Sequence, residues 1–399
     1  MRIAFMSHEP FYPPSGGGSA EGIYLIREMI RRKWDVTVFC PRIENQAQVE
    51  RDFGIKVVPF NTWQMGRYAQ FRNGKYLVFP FFLERLVRKD HARKAFDIFF
   101  SQHAIAAVTA GRLKQATGVC TVMNFLDYLT GFMETWPGWA MPKPALRRLM
   151  SFELKLPAKY QVDAVLTVSD TLKEKFEGAG YPEKKILPIY YGFDHNLFQL
   201  RPHQPIASSS PLVVMHGSFD KHHLGEIAEH AILSVARRFP QVRFRFVGKN
   251  TAAVSQLFEA VKKANPSVNL ENTNFVPYQE VPKLLAEASV GMVPYEESTG
   301  TNSAFVAKIV EYAALGIPVA STPVSSVKKY FRNTNLIRFS TFDGESLAKD
   351  ICHWLATSAQ TIEPLAREAA AKVREELAWE VIAQKAMDFT EETFRQSKV

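Results

Sequence analysis

Within SAFVAKIVEYAALGIPV, residues 303–319, Glu311 is the only acid in an otherwise apolar helical pattern. The strands that flank this helix in sequence, in GMVPY and PVAST, carry no opposing charge. A carboxylate in such a setting needs a partner, and a pair of adjacent hydroxyls would satisfy it bidentately. A second stretch with chemical potential is HEPFYPPSGGGSAEGIYLIREMI, where Gly16, Gly17 and Gly18 separate a short apolar strand from a helix. The helix is marked by Ile23, Ile26, Met29 and Ile30 on one stripe. Glycine lets a ligand approach the backbone, and the first N–H groups of a helix favour an anion. The spacing is neither G-x-G-x-x-G nor a P-loop, so a phosphate loop and a plain turn are both open.

Asp220, His222 and His223 form a third group. Adjacent histidines seldom converge on one ion, and no D-x-D triplet accompanies them, so no metal and no other cofactor is expected. Cys40, Cys120 and Cys352 are widely separated and suit neither a disulfide framework nor zinc.

These groups need a scaffold, and the sequence describes one. With 399 residues, 46% hydrophobic and 22% charged, the chain has material for about two globular domains. Strands are expected at 3–6, 36–39, 56–58, 98–101, 121–124, 164–168 and 185–189, with helices between most of them. After the proline- and serine-rich LRPHQPIASSSP a second alternation begins. Its strands are PLVVMHG, VRFRFVG, NTNFVPY, GMVPY and PVAST; its helices are 226–238, 254–264, 281–288 and 304–315. From Ile362 onward the pattern is helical. Such alternation builds parallel sheets covered on both faces, with ligands at the carboxyl ends of the strands.

The net charge of +9 is uneven: residues 1–200 hold 27 Lys/Arg against 19 Asp/Glu, the remainder 22 against 21. Much of the excess lies between Arg67 and Lys94, where aromatics alternate with Arg67, Arg72, Lys75, Arg85, Arg88 and Lys89. That mixture suits an anionic membrane surface or an acceptor held there; a solvated helix face is the other reading. No nucleic-acid motif accompanies it, so nucleic acid is not an expected partner. No signal-peptide layout or membrane-spanning run is visible, so a cytoplasmic location is expected, with peripheral attachment to the inner membrane face.

Residues 303–319 resemble the family 4-like glycosyltransferases, whose pattern here is E-x-F-G-x-x-x-x-E-A-x-A-x-G-x-P-V. Phe305, Glu311, Gly316, Pro318 and Val319 match in register. Ser303 stands at the first acidic position, and Lys308 matches a K-x-x-E-Y variant. YGFDHNLF resembles the family's N-G-V-D-x-x-x-F element, and the glycine loop and FVPY also resemble family segments, so the likeness spans nearly the whole chain.

The resemblance implies an α/β, GT-B fold of two Rossmann-like doubly wound domains facing across a cleft. Residues 1–199 would bind acceptor, 200–211 link, 212–375 bind donor, and 376–399 return as a helix to the first domain. It implies a retaining hexosyl-type transfer from a nucleotide-sugar, with uridine the expected base, to a glycan, glycolipid or lipid-linked acceptor. Glu311 would hold the ribose, and the N–H groups of Phe305, Val306 and Ala307 the diphosphate. Gly16, Gly17, Gly18, Val276, Ser303 and Lys308 join the donor set. Relatives read G-R-x-x-x-x-K-G after the first strand of the second domain. This chain has Ser218 for the Arg and His223 for the Lys, leaving Lys221 or Lys249 as substitutes. Relatives place H-D after the strand that here reads TVMNF. Asp127 is the candidate to orient or deprotonate the acceptor, with a turn cap as its other reading, and His103 is a second candidate. An epimerase or a non-catalytic binding protein of the same fold are the alternatives.

Overall fold

The computed structural model describes residues 1–14, 17–60, 72–136, 138–139, 141–200 and 210–398. Gly16, Arg67 and most of the 200–211 linker lie outside them, as do the side chains of Arg72 and Lys75. The chain forms two units: Met1–Thr130 with Gly138–Tyr190 and Glu380–Val399, and Gly131–Pro137 with Tyr191–Trp379.

In the first unit the chain runs β1 (Arg2–Ser7), α1 (Gly17–Arg31), β2 (Asp35–Pro41), α2 (Gln46–Phe53), β3 (Lys56–Phe60), α3 (Arg72–Arg93) and β4 (Ile98–Gln102). It continues α4 (His103–Thr117), β5 (Cys120–Phe125), α5 (Lys143–Tyr160), β6 (Ala164–Thr167), α6 (Asp170–Gly178) and β7 (Ile186–Pro188). The sheet is parallel in the order β3-β2-β1-β4-β5-β6-β7. Its central strands are buried on both faces, which is why they read as nearly unbroken apolar runs; Phe5 and Phe100 stack at 5.4 Å. Right-handed crossovers put α3 to α6 on one face, with α4 packed against both α3 and α5.

The second unit runs β8 (Leu212–His216), α7 (Glu226–Arg238), β9 (Arg243–Val247), α8 (Ala252–Ala264), β10 (Asn269–Asn272), α9 (Val281–Leu285) and β11 (Val290–Val293). Then follow α10 (Thr299–Ser303), α11 (Ala307–Leu315), β12 (Val319–Ser321), α12 (Ser325–Tyr330), β13 (Ile337–Phe339), α13 (Gly344–Ala356) and α14 (Ala359–Leu377). Its sheet is parallel, β10-β9-β8-β11-β12-β13. The last helix, α15 (Trp379–Gln396), groups from Glu380 with the first unit, where Asp388 and Glu391 pair with Arg32 of the loop after α1 at 2.6 and 3.1 Å.

Three expectations need correction. The strand expected in NTNFVPY lies earlier, at Asn269–Asn272, and Val276 sits on the half-buried segment after it. The helix expected over 304–315 begins only at Ala307, because Ala304 turns extended; α10, capped by Ser298 accepting from the Thr301 N–H at 3.0 Å, precedes it and was not expected. β13 and the helices α12 and α13 were absent from the sequence expectation. No described helix is long and apolar enough to cross a membrane.

Candidate functional site

In an open parallel sheet, ligands settle beyond the carboxyl ends of the strands where the strand order reverses. In the second unit that place lies between β8 and β11, which are neighbours although far apart in sequence.

β8 ends in His216, buried beneath Tyr312, with ring centroids 5.0 Å apart. Its Nε2 makes a short contact with Glu311 Oε2. Tyr278 donates its hydroxyl proton to Glu311 Oε1 at 2.8 Å. Glu311 is 6% exposed, so the expected burial of this acid is met. The partner it needs comes in part from the protein itself. The strand beside it in space is β8, and His216 supplies the group that the sequence-adjacent strands lack. Two partners still leave a carboxylate with room to accept from ligand hydroxyls.

Lys308, one turn earlier on the same helix face, is 9% exposed and donates to the Tyr295 hydroxyl at 2.9 Å. Its ammonium lies beside Gly217, where φ is +101° and an added Cβ would stand 3.2 Å from Nζ. Gly217 therefore permits the left-handed turn after β8 and keeps the backbone clear of this cation. The N–H groups of Ala307 and Lys308 open α11 without an acceptor in a preceding turn. The N-terminus of α7 differs, because Glu296 Oε1 accepts from the Ile227 N–H at 3.1 Å.

His222 and His223 complete the rim, their rings 3.9 Å apart, with His223 4.6 Å from Tyr295 and His222 5.0 Å from Phe132. Each keeps an edge at the surface, yet the packing disfavours charge. Burial, opposed by Asp220 and aided by Lys308, lowers His222 to about 4; burial, His222 and Lys308 lower His223 well below its usual value. Both are neutral at pH 7. Ligand atoms of Asp220, His222 and His223 lie within 4.8 Å of one another, so these groups do converge, contrary to expectation. Asp220 N–H donates to His223 Nδ1, and Lys308 is close enough to depress both rings.

The other expected donor residues are dispersed. Ser218, Lys221 and Lys249 are exposed on loops after β8 and β9. Ser303 is buried, its hydroxyl donating to Thr299 O at 2.7 Å within α10. Phe305 is a core ring, 5.3 Å from Tyr330 and 6.1 Å from Phe331, so only its backbone faces outward duty.

In the first unit the order reverses between β1 and β4. Here His103 opens α4 at φ +71°, a left-handed value uncommon for a side-chain residue, with its ring 4.9 Å from that of His8. Gly18 admits it: an added Cβ would lie 3.1 Å from His103 Nε2. Gly17 begins α1. Asp127 is half-buried beyond β5. The sequence reading missed Glu21, a buried acid on α1 that accepts from Asn124 Nδ2 at 3.0 Å and Gln102 Nε2 at 3.4 Å. Burial raises it to about 8, the two amides oppose this, and the charge of Asp127 adds to it. An acid four residues before Leu25 on the buried stripe was the available signal. Arg85, Arg88 and Lys89 are exposed on α3, and Arg88 is tied to Glu84 at 2.7 Å.

Residues 16–197 match the family described as Glycosyltransferase Family 4, and residues 210–357 match Glycosyl transferases group 1. A search of curated proteins finds no match. Among solved structures, sucrose-phosphate synthase from Thermosynechococcus elongatus is similar at 16% identity, covering 99% of each chain with a TM-score of 0.78. Anabaena HepE in complex with UDP and glucose is similar at 18% identity, covering 98% of this chain and 100% of that one, TM-score 0.70. WaaG, a glycosyltransferase involved in lipopolysaccharide biosynthesis, is 15% identical over 97% and 99%, TM-score 0.66. At these identities the likeness shows the fold, GT-B.

Proposed function

The chain belongs to the family 4-like glycosyltransferases, and from that premise we propose that it moves a sugar from a UDP-sugar to an acceptor hydroxyl with retention of configuration. The acceptor is a glycan, glycolipid or lipid-linked precursor, and the protein works at the inner membrane face. The observation that carries the donor half is the placement of Lys308 and Glu311 on one face of α11, beside the β8–β11 reversal. Lys308 and the first N–H groups of α11 take the diphosphate, in place of the Arg and Lys that Ser218 and His223 do not supply. Glu311, held by His216 and Tyr278, accepts from the ribose hydroxyls. The structures of HepE with UDP and with UDP-glucose support the choice of uridine.

In this reading charge builds on the leaving diphosphate as the glycosidic bond breaks, and fixed donors around it lower the barrier. The diphosphate itself receives the acceptor proton, with Asp127 and His103 orienting the hydroxyl in the first unit. No metal takes part. The test is donor hydrolysis and transfer across UDP-, GDP- and ADP-sugars, with and without EDTA, and the product anomer read by NMR. Preference for UDP-sugars, retained configuration and EDTA resistance are expected. Inversion, or loss of activity in EDTA, overturns the mechanism. A changed sugar-nucleotide without acceptor use identifies an epimerase. No turnover and no thermal shift with any donor identifies a binding protein.

A further inference from the structure

α5 is amphipathic in an unusual way. Its inward face carries its only acid, Glu153, which is buried and accepts from the N–H groups of Leu129 and Thr130 at 3.0 and 2.8 Å and from the Thr130 hydroxyl at 2.6 Å. Its outward face has no acid. There Arg147, Arg148, Lys155 and Lys159 line a shallow depression with Phe152 and Ser151. All four cations are exposed, and none has a carboxylate partner among the described residues. Unpaired charges of one sign on one helix face repel each other, an arrangement that an opposing anionic surface relieves.

The same face also exposes apolar groups. Phe152 is 40% exposed, with Lys159 Nζ 5.0 Å from its ring centroid, and Leu149 lies beside the cations at 37%. Trp139, shortly before the helix, is 88% exposed. A purely solvated face has no need of these rings. Nucleic acid would use the cations, yet leaves a leucine without a role. A phospholipid boundary uses both: basic side chains meet headgroups, and aromatic and aliphatic groups enter the acyl margin.

We propose that the outward face of α5, with Trp139, docks on an anionic phospholipid surface. The proposal needs nothing from the donor site, so membrane binding and turnover fail independently of each other.

The test is cosedimentation of the full chain with phosphatidylcholine vesicles, with or without about one-third phosphatidylglycerol, at low and high salt. Binding is expected only to the anionic vesicles, weakening as salt screens the charges. R147Q/R148Q/K155Q/K159Q, which touches no donor or acceptor residue, should lower partitioning on the order of 1000-fold, from roughly a fivefold to sixfold loss per cation. Its thermal midpoint should match wild type. Trp139→Ala should weaken binding at both salt concentrations. Equal binding to neutral vesicles, undiminished binding by the quadruple variant, or binding to oligonucleotides with none to vesicles overturns the proposal.

Discussion

Glu21→Gln isolates one buried proton. Glu21 is held between the amides of Asn124 and Gln102 and is pushed up from 4.5 to about 8, chiefly by burial. In the unfolded chain it ionises near 4.5. Between those values the folded protein binds one proton more than the unfolded chain, so stability falls as pH rises. The displacement corresponds to on the order of 5 kcal/mol of stability, fully present below pH 4.5 and lost as pH rises from there to about 8. That is a large share of the 5–15 kcal/mol typical of a folded domain. Glutamine keeps the shape and cannot ionise, so the variant should gain on wild type as pH rises. The gain should approach ~10 °C in thermal midpoint between pH 5 and 8. Calorimetry of both proteins over that range, following the transition that melts α1, reads the difference directly. Glu153 is raised to about 7 and slopes the same way in both proteins, so it cancels. Parallel curves for wild type and variant would refute the reasoning: Glu21 would then be ionised, with its hydrogen bonds outweighing burial.

Glu311→Ala should raise the donor KM or abolish turnover while donor-free folding persists; the orphaned His216 costs about 1–3 kcal/mol, and normal kinetics would remove the ribose role. Lys308→Met keeps the length and loses the charge, so UDP affinity by calorimetry should fall at least tenfold; unchanged affinity sinks the diphosphate role. Gly300→Val should lower the midpoint of the second unit, because a Cβ there lies 2.4 Å from Phe132 N and 2.7 Å from the Gly131 carbonyl carbon. A midpoint equal to wild type would show that this packing yields easily. Replacing Arg85, Arg88 and Lys89 by Gln should weaken vesicle binding less than the α5 variant does, since Glu84 already offsets Arg88; the reverse ranking would move the docking surface to α3.

The parallel strands were legible because burial on both faces leaves runs such as VVMH and IFFS, and Glu226–Arg238 because its apolar stripe is clean. β10, NLEN, was not, because an edge strand need not be apolar. α11 was expected to start at Ala304 because the residues from Ala304 to Ala307 are all apolar and hide the extended turn before it, and α10, TGTNS, carries no apolar stripe to announce it. At the site, Glu311 stood out as a charge in an apolar helix. Its partners did not: Tyr278 and His216 lie 33 and 95 residues away, brought in by the sheet order rather than by spacing. Glu21 was hidden because a single acid near a helix start is commonplace, and only the meeting of β4, β5 and α1 isolates it.

The units interleave along the polypeptide. Passing from Thr130 to Gly131, Pro137 to Gly138, Tyr190 to Tyr191 and Trp379 to Glu380, the backbone changes unit four times. Within the second unit the borrowed stretch is put to use: Glu134 accepts from the Thr299 N–H at 2.7 Å, and Phe132 meets His222. Recombination at a single junction would therefore transplant an incomplete donor module, missing the plug that seals α10. A functional chimera has to carry that short insert along with the half it serves, and inheritance of new donor preferences faces the same bookkeeping.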